Sequence, residues 1–251
     1  NSCNGSLALN NWLKCRMKFE ITPIAYTKSC FKEKFATPRQ PGLVSLAQGQ
    51  IKMQAPYNHP DTVDGLLDCS HLWLQFIFHQ CIEQGWKNKV RPPRLGGNKK
   101  MGVFATRATH RPNGLGLSVV KLDNITFEKN ELTLHVSGLD LIDGTPIVDI
   151  KPYIPYSDSL PNAQYPFAQL APKMLSVNFS ESAQQTINNQ QHKPHLTQFI
   201  QQVLSQDPRP AFHEIDETRV YGAKLEEFDV SWVYKKNNDE VYIEVKAIKF
   251  L

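Results

Sequence analysis

The chain has 251 residues, with 28 Lys and Arg against 24 Asp and Glu, and a formal net charge of +4. That length holds one large domain or a main domain with a small companion. Hydrophobic residues at 41 % and charged residues at 21 % exclude a disordered chain, a collagen and a coiled coil.

The longest apolar run, 72–78, is interrupted by Gln75 and falls short of the roughly 18 residues of a membrane span, so the sequence reads as a folded protein that does not use a membrane. Five cysteines (Cys3, Cys15, Cys30, Cys69, Cys81), odd in number and without a C-x-x-C pair, fit a reducing cytoplasmic compartment. Residues 1–16 carry only Lys14 and Arg16 as charges and lack the apolar centre of a signal peptide. The periodic sequence starts at Met17-Lys18-Phe19, so 1–16 read as a non-native leader.

In chain order, short β-branched and aromatic runs predict strands over 19–25, 71–78, 102–106, 117–122, 131–137 and 146–150. The half from 17 to 168 is therefore mainly β. Many short strands between turn signals point to a barrel or a sandwich, because closing a sheet removes its edges. Four prolines between 155 and 172 mark a connecting loop, and 169–251 reads as a small α+β domain. There, 174–179 suits a strand and 181–189 a short helix. Leu196, Phe199, Ile200, Val203 and Leu204 recur at helical spacing over 195–206, and Asp207-Pro208 stops that helix. Alternation at Phe228, Val230 and Trp232 and again over 241–247 predicts a hairpin turning at 235–239.

Several chemistries lack their motif. Gly114-Leu115-Gly116 has no third glycine, so a Rossmann site is unsupported, and there is no phosphate-binding G-x-x-x-x-G-K-[ST] loop. Without H-E-x-x-H or paired cysteines no metal site is expected, and no G-x-S-x-G marks a nucleophilic serine.

The informative stretch is 84–111. It holds Lys87, Lys89, Arg91, Arg94, Lys99, Lys100, Arg107 and Arg111 and no acid, which leaves the rest of the chain net negative. A solvated loop is the ordinary reading of a charge run. Here the run leads into Gly102-Val103-Phe104-Ala105-Thr106-Arg107, with Arg107 and Arg111 flanking a turn between two expected strands, an arrangement suited to a carboxylate or phosphate. Arg39, held between Pro38 and Pro41, has little backbone freedom and offers a second preorganised guanidinium. The turn region 140–155, with Asp140, Asp143, Asp149, Lys151 and Tyr153, offers solvated acids or a general base.

In order along the chain, Lys34-Phe35-Ala36-Thr37-Pro38-Arg39-Gln40-Pro41-Gly42-Leu43, Ser70-His71-Leu72-Trp73, Phe78-His79-Gln80, Arg91-Pro92-Pro93-Arg94-Leu95, Arg111-Pro112-Asn113, Asp143-Gly144-Thr145-Pro146 and Asp149-Ile150-Lys151-Pro152-Tyr153 resemble the TrmO (TsaA-like) family. These are tRNA methyltransferases that use S-adenosylmethionine to methylate N6 of N6-threonylcarbamoyladenosine beside the anticodon. Asp207-Pro208-Arg209-Pro210-Ala211-Phe212 resembles the tail of the bacterial long form. The resemblance implies a single-sheeted β-barrel catalytic domain with the cofactor near a homodimer interface. By position it implies cofactor contacts at Pro38, Arg39, Gln40, His79, Gln80, Arg107, Leu117, Ser137, Gly138, Leu139 and Asp140. Candidates for the proton acceptor are Asp149, Lys151 and Tyr153, with Asp140 and Asp207 competing. Arg91, Arg94, Lys99, Lys100, Arg111 and Arg209 would face tRNA phosphates. Gly114 departs from the family's usual proline. Two other readings remain open at this point: a non-catalytic RNA-binding or regulatory module on the same barrel, and a small-molecule methyltransferase or hydrolase.

Overall fold

A computed structural model describes residues 18–92, 99–168, 172–190, 192–210, 213–238 and 240–251. The expected leader 1–16 and Arg94 lie outside these residues, as do Ala211, Phe212 and Asp239.

Six strands close into an antiparallel barrel in the order β1 (Ala25–Ser29), β2 (Gly49–Met53), β7 (Glu131–Ser137), β6 (Leu115–Glu128), β3 (His71–Ile77) and β8 (Pro146–Pro152), which returns to β1. Closure leaves no free edge. A two-residue ribbon pairs β4 (Lys89–Val90) with β5 (Met101–Gly102) outside it. Alternation decides which face is core: Leu72, Leu74 and Phe76 of β3, Val120 and Leu122 of β6, and Leu134 and Val136 of β7 all point inward. Gly116 is required by this packing, since a Cβ there would lie 2.3 Å from the Phe76 ring. The barrel expected from the sequence is the fold observed.

Two of the expected strands are displaced. Of 19–25, only Ala25 is in a strand; β1 instead buries Ala25, Thr27 and Ser29, two of them small and polar. The run 102–106 leaves the ribbon at Gly102 and coils as a 3-10 turn over Val103–Ala105, with Phe104 75 % exposed. Arg107 and Arg111 therefore lie in the β5–β6 connection, after a 3-10 turn and not after an apolar strand over 102–106.

After a single helical turn, α1 (Pro155–Asp158), the chain crosses to a second sheet. Its order is β10 (Tyr221–Leu225), β11 (Phe228–Asn237), β12 (Glu240–Phe250) and β9 (Ser176–Phe179), with β9 parallel to β12. Two helices cover it. α2 (Glu181–Asn188) is capped by the Ser180 hydroxyl, which accepts from the Ala183 N–H, and α3 (Leu196–Ser205) buries the predicted stripe Leu196, Phe199, Ile200, Val203 and Leu204.

The long connection from β1 to β2 belongs to both halves. Phe31, Ala36, Val44 and Ala47 are buried in the core of the C-terminal sheet, not in the barrel's own core. Phe35 stacks on Trp232 with centroids 5.8 Å apart and planes 3° from parallel. Phe31 bridges Leu225 on one side and Ile142 on the other.

Candidate functional site

The β1–β2 connection brings Pro38, Arg39 and Gln40 to one end of the barrel. It is held there by two backbone bonds: Gly42 N–H donates to the Gly138 carbonyl at 2.9 Å, and Leu139 N–H donates to the Ala47 carbonyl at 3.2 Å. Gly138 follows β7 with φ +74, a conformation that favours glycine, and Gly42 passes within 3.5 Å of where its Cβ would be. The stretch Ser137 to Asp140 and the Arg39 loop are thus one structural unit.

Arg107 joins them from the loop before β6. Its Nη1 donates to Gln40 Oε1 at 2.5 Å, and its charge acts on Asp140. Asp140 is held unusually. Burial pushes its carboxyl up from 3.8 to about 6, against a hydrogen bond from Ser118, its own backbone N–H and the Arg107 charge, which lower it. Its Oδ1 is shut off from solvent and has no hydrogen-bond partner. A buried acceptor in that state is unfavourable in the isolated chain and fits a ligand that brings a donor. Arg39 is exposed and makes one long bond, to the Arg209 carbonyl at 3.4 Å, so most of its fork still faces outward.

His79 and Gln80 open a 3-10 turn (His79–Gln84) beyond β3, and Lys34 ties it to the same loop. Lys34 Nζ donates to the Gln80 carbonyl at 3.3 Å and to Cys81 Sγ at 3.4 Å. The turn packs on Gly114, whose φ of +62 a proline cannot adopt. This chain's glycine therefore selects a different turn, not a looser version of a proline one.

Of the other cofactor candidates, Leu117 lies on the barrel's outer face and is 53 % exposed. The Ser137 hydroxyl is buried and donates to Asp123 at 3.2 Å. Leu117 faces Gln75 across β6 and β3, and Gln75 faces Asp149 across β3 and β8. Asp149 and Leu117 thus share one outward row about two strand spacings, roughly 10 Å, apart. Lys151 is paired with Asp149 at 3.5 Å, and Tyr153 packs on Trp73 at 5.8 Å. The competing acid Asp207 is fully engaged. It accepts from Arg209 at 2.9 and 3.3 Å and from the Tyr234 hydroxyl at 2.8 Å.

The expected RNA-facing cations divide into two groups. Arg91, Lys99 and Lys100 are exposed beside the β4–β5 ribbon. Arg111 donates to the Thr106 carbonyl at 2.8 Å and to the Val103 carbonyl at 3.4 Å, so it braces its own loop. Arg209 is 18 % exposed at its side chain, is paired with Asp207, donates to the His213 carbonyl at 2.6 Å and lies 5.3 Å from the Tyr234 ring. Both guanidiniums already have protein partners. Lys34 and Ser118 were missed as site residues. Only the Lys34-Phe35-Ala36-Thr37 string marked the first, and nothing marked the second. Among the described residues no three His, Cys, Asp or Glu form a metal-binding group, and no helix is long and apolar enough to cross a membrane.

Family models match in two blocks: the tRNA-methyltransferase O N-terminal domain over residues 26–159 and the TrmO C-terminal domain over 172–248. The chain belongs to the TrmO family. A TrmO relative from Escherichia coli, "tRNA (adenine(37)-N6)-methyltransferase", is 48 % identical over 227 residues, covering 89 % of this chain and 97 % of the relative. A "Probable S-adenosyl-L-methionine-binding protein" of Methanothermobacter thermautotrophicus is 39 % identical over 144 residues, 57 % of this chain and 96 % of that protein. The crystal structure of TrmO from Pseudomonas aeruginosa superposes with a TM-score of 0.76 at 39 % identity, covering 94 % of this chain and 98 % of that one.

Proposed function

We propose that this TrmO-family chain is an S-adenosylmethionine-dependent methyltransferase that methylates N6 of N6-threonylcarbamoyladenosine at position 37 of tRNA. The observation that carries this reading is the convergence of Arg39, Gln40 and Arg107 with the unpartnered Asp140 oxygen at one barrel end, together with exposed Arg91, Lys99 and Lys100 in the same acid-free stretch as Arg107. The donor set fits the cofactor. A guanidinium fork suits its carboxylate, and a buried carboxylate oxygen suits a ribose hydroxyl or an ammonium N–H.

When bound, the cofactor supplies an activated methyl on a sulfonium leaving group. The protein's own task is to align that methyl with N6 and to remove the N6 proton. Asp149 is assigned that second role because it shares the outward row of Leu117, whereas Asp207 is tied to Arg209 and Tyr234 of the C-terminal half. Lys151 beside it pairs with the carboxylate at 3.5 Å and fixes its position, and Tyr153 walls the row. The exposed lysines and arginines attract the anticodon stem through its phosphates.

The reading includes a cytoplasmic homodimer. Ile82, Phe104 and Leu117, 58, 75 and 53 % exposed, lie on the segments that frame the arginines, and an apolar rim of this kind supports burial against a second copy. The test is incubation with methyl-labelled S-adenosylmethionine and tRNA with or without the threonylcarbamoyl group, followed by nucleoside mass spectrometry. Methyl appears only on the modified tRNA; transfer to neither removes the proposal.

A further inference from the structure

The loop that carries Pro38, Arg39 and Gln40 is grasped from two sides. The barrel holds it through the Gly42–Gly138 and Ala47–Leu139 bonds. The other grip comes from the end of α3, more than 150 residues later in the chain. Gln202 Oε1 accepts the Leu46 N–H at 3.1 Å, and its Nε2 donates to the Ser45 hydroxyl at 3.2 Å. Four residues on, Gln206 Nε2 donates to the Leu43 carbonyl at 3.3 Å. The two amides sit one helical turn apart, so they reach the same strip of loop backbone. Arg39 itself ends on the Arg209 carbonyl.

We propose that the C-terminal domain acts as a clamp on the cofactor loop, with Gln202 and Gln206 as positioning residues that set cofactor affinity. The proposal rests on the cofactor site read above. Its physical basis is the entropy of a long loop. Segment 43–46 lies outside any helix or strand, and although buried Val44 anchors it, without the amides part of the ordering of its backbone would be charged against cofactor binding and not against folding. A clamp of this kind changes binding and leaves the methyl transfer step alone. It also assigns the domain a role different from RNA reach: Arg209, its expected RNA contact, already has protein partners.

The test is Gln202→Ala/Gln206→Ala in the full chain, with cofactor binding followed by calorimetry and turnover by methyl transfer. Losing the three hydrogen bonds these amides make weakens cofactor affinity by about tenfold or more. Turnover at saturating cofactor stays within about twofold and KM for tRNA is unchanged, a split that general loss of structure would not produce. Gln202→Glu in place of Gln202→Ala keeps the acceptor for the Leu46 N–H and restores much of the affinity. Hydrogen exchange at 43–47 rises in the double variant. A folded double variant with unchanged cofactor affinity, or one whose only defect is a raised KM for tRNA, overturns the clamp. Failure of the unmodified protein to bind cofactor overturns the cofactor site instead, and unchanged exchange at 43–47 then overturns the clamp by itself.

Discussion

Replacing Asp140 by Asn tests the central electrostatic feature of the barrel end. The change keeps the shape and removes the charge. In the folded chain the carboxyl is raised from 3.8 to about 6, chiefly by burial. The folded state therefore binds more protons than the unfolded state between these values, and stability falls as pH rises through that window, then levels off above about 6. The shift of roughly two pH units corresponds to about 2–3 kcal/mol of destabilisation at pH 8, because one unit is worth about 1.4 kcal/mol. Without cofactor, Asp140→Asn is accordingly more stable than the parent by about that amount at pH 8, and the difference fades below pH 4, where both side chains are neutral. Urea titrations followed by circular dichroism at several pH values read this directly. The same variant binds S-adenosylmethionine at least about tenfold more weakly, since a charged acceptor is lost. A variant less stable than the parent at pH 8, or a difference independent of pH, would refute the argument that the buried oxygen is held at a cost for a ligand.

Gly116→Ala drives a methyl into the Phe76 ring and destabilises the barrel by about 1–3 kcal/mol in denaturant melts. Phe35→Ala removes the ring stacked on Trp232 and lowers stability by roughly 2–4 kcal/mol, with tryptophan emission reporting the change. The triple change Arg91→Ala/Lys99→Ala/Lys100→Ala weakens tRNA binding and flattens its salt dependence by about one phosphate contact per residue, read from affinity against log salt. Arg209→Ala leaves that slope unchanged and lowers stability by about 2–3 kcal/mol, because it strands Asp207 in a half-buried setting.

Where a strong period ran long enough, the sequence already described the element. α3 has its apolar stripe and proline stop in plain view, and β7 and the β11–β12 hairpin follow their alternation. The losses have specific causes. β1 escapes an apolar pattern because Thr27 and Ser29 face inward, and β2 because only Ile51 of its five residues is buried. β10, Tyr221–Leu225, is short and carries Gly222, so its alternation looks like a turn. Val103 and Phe104 resemble strand residues yet coil, since a short apolar run has no period to choose between the two. At the site, arginines and prolines leave a visible signature. Amides such as Gln202 and Gln206 leave none: they act by where the fold places them, and a glutamine's neighbours in sequence say nothing of its partner in space.

The two-sided loop also imposes an order on synthesis. All six barrel strands leave the ribosome before any of the C-terminal sheet, so the barrel can close while Phe31, Phe35 and Val44 still lack their cover. Those apolar side chains sit beside the residues assigned to the cofactor, and they stay exposed until β10 and β11 are made. The nascent chain thus carries an uncovered apolar surface at its future working end until the C-terminal sheet packs over it.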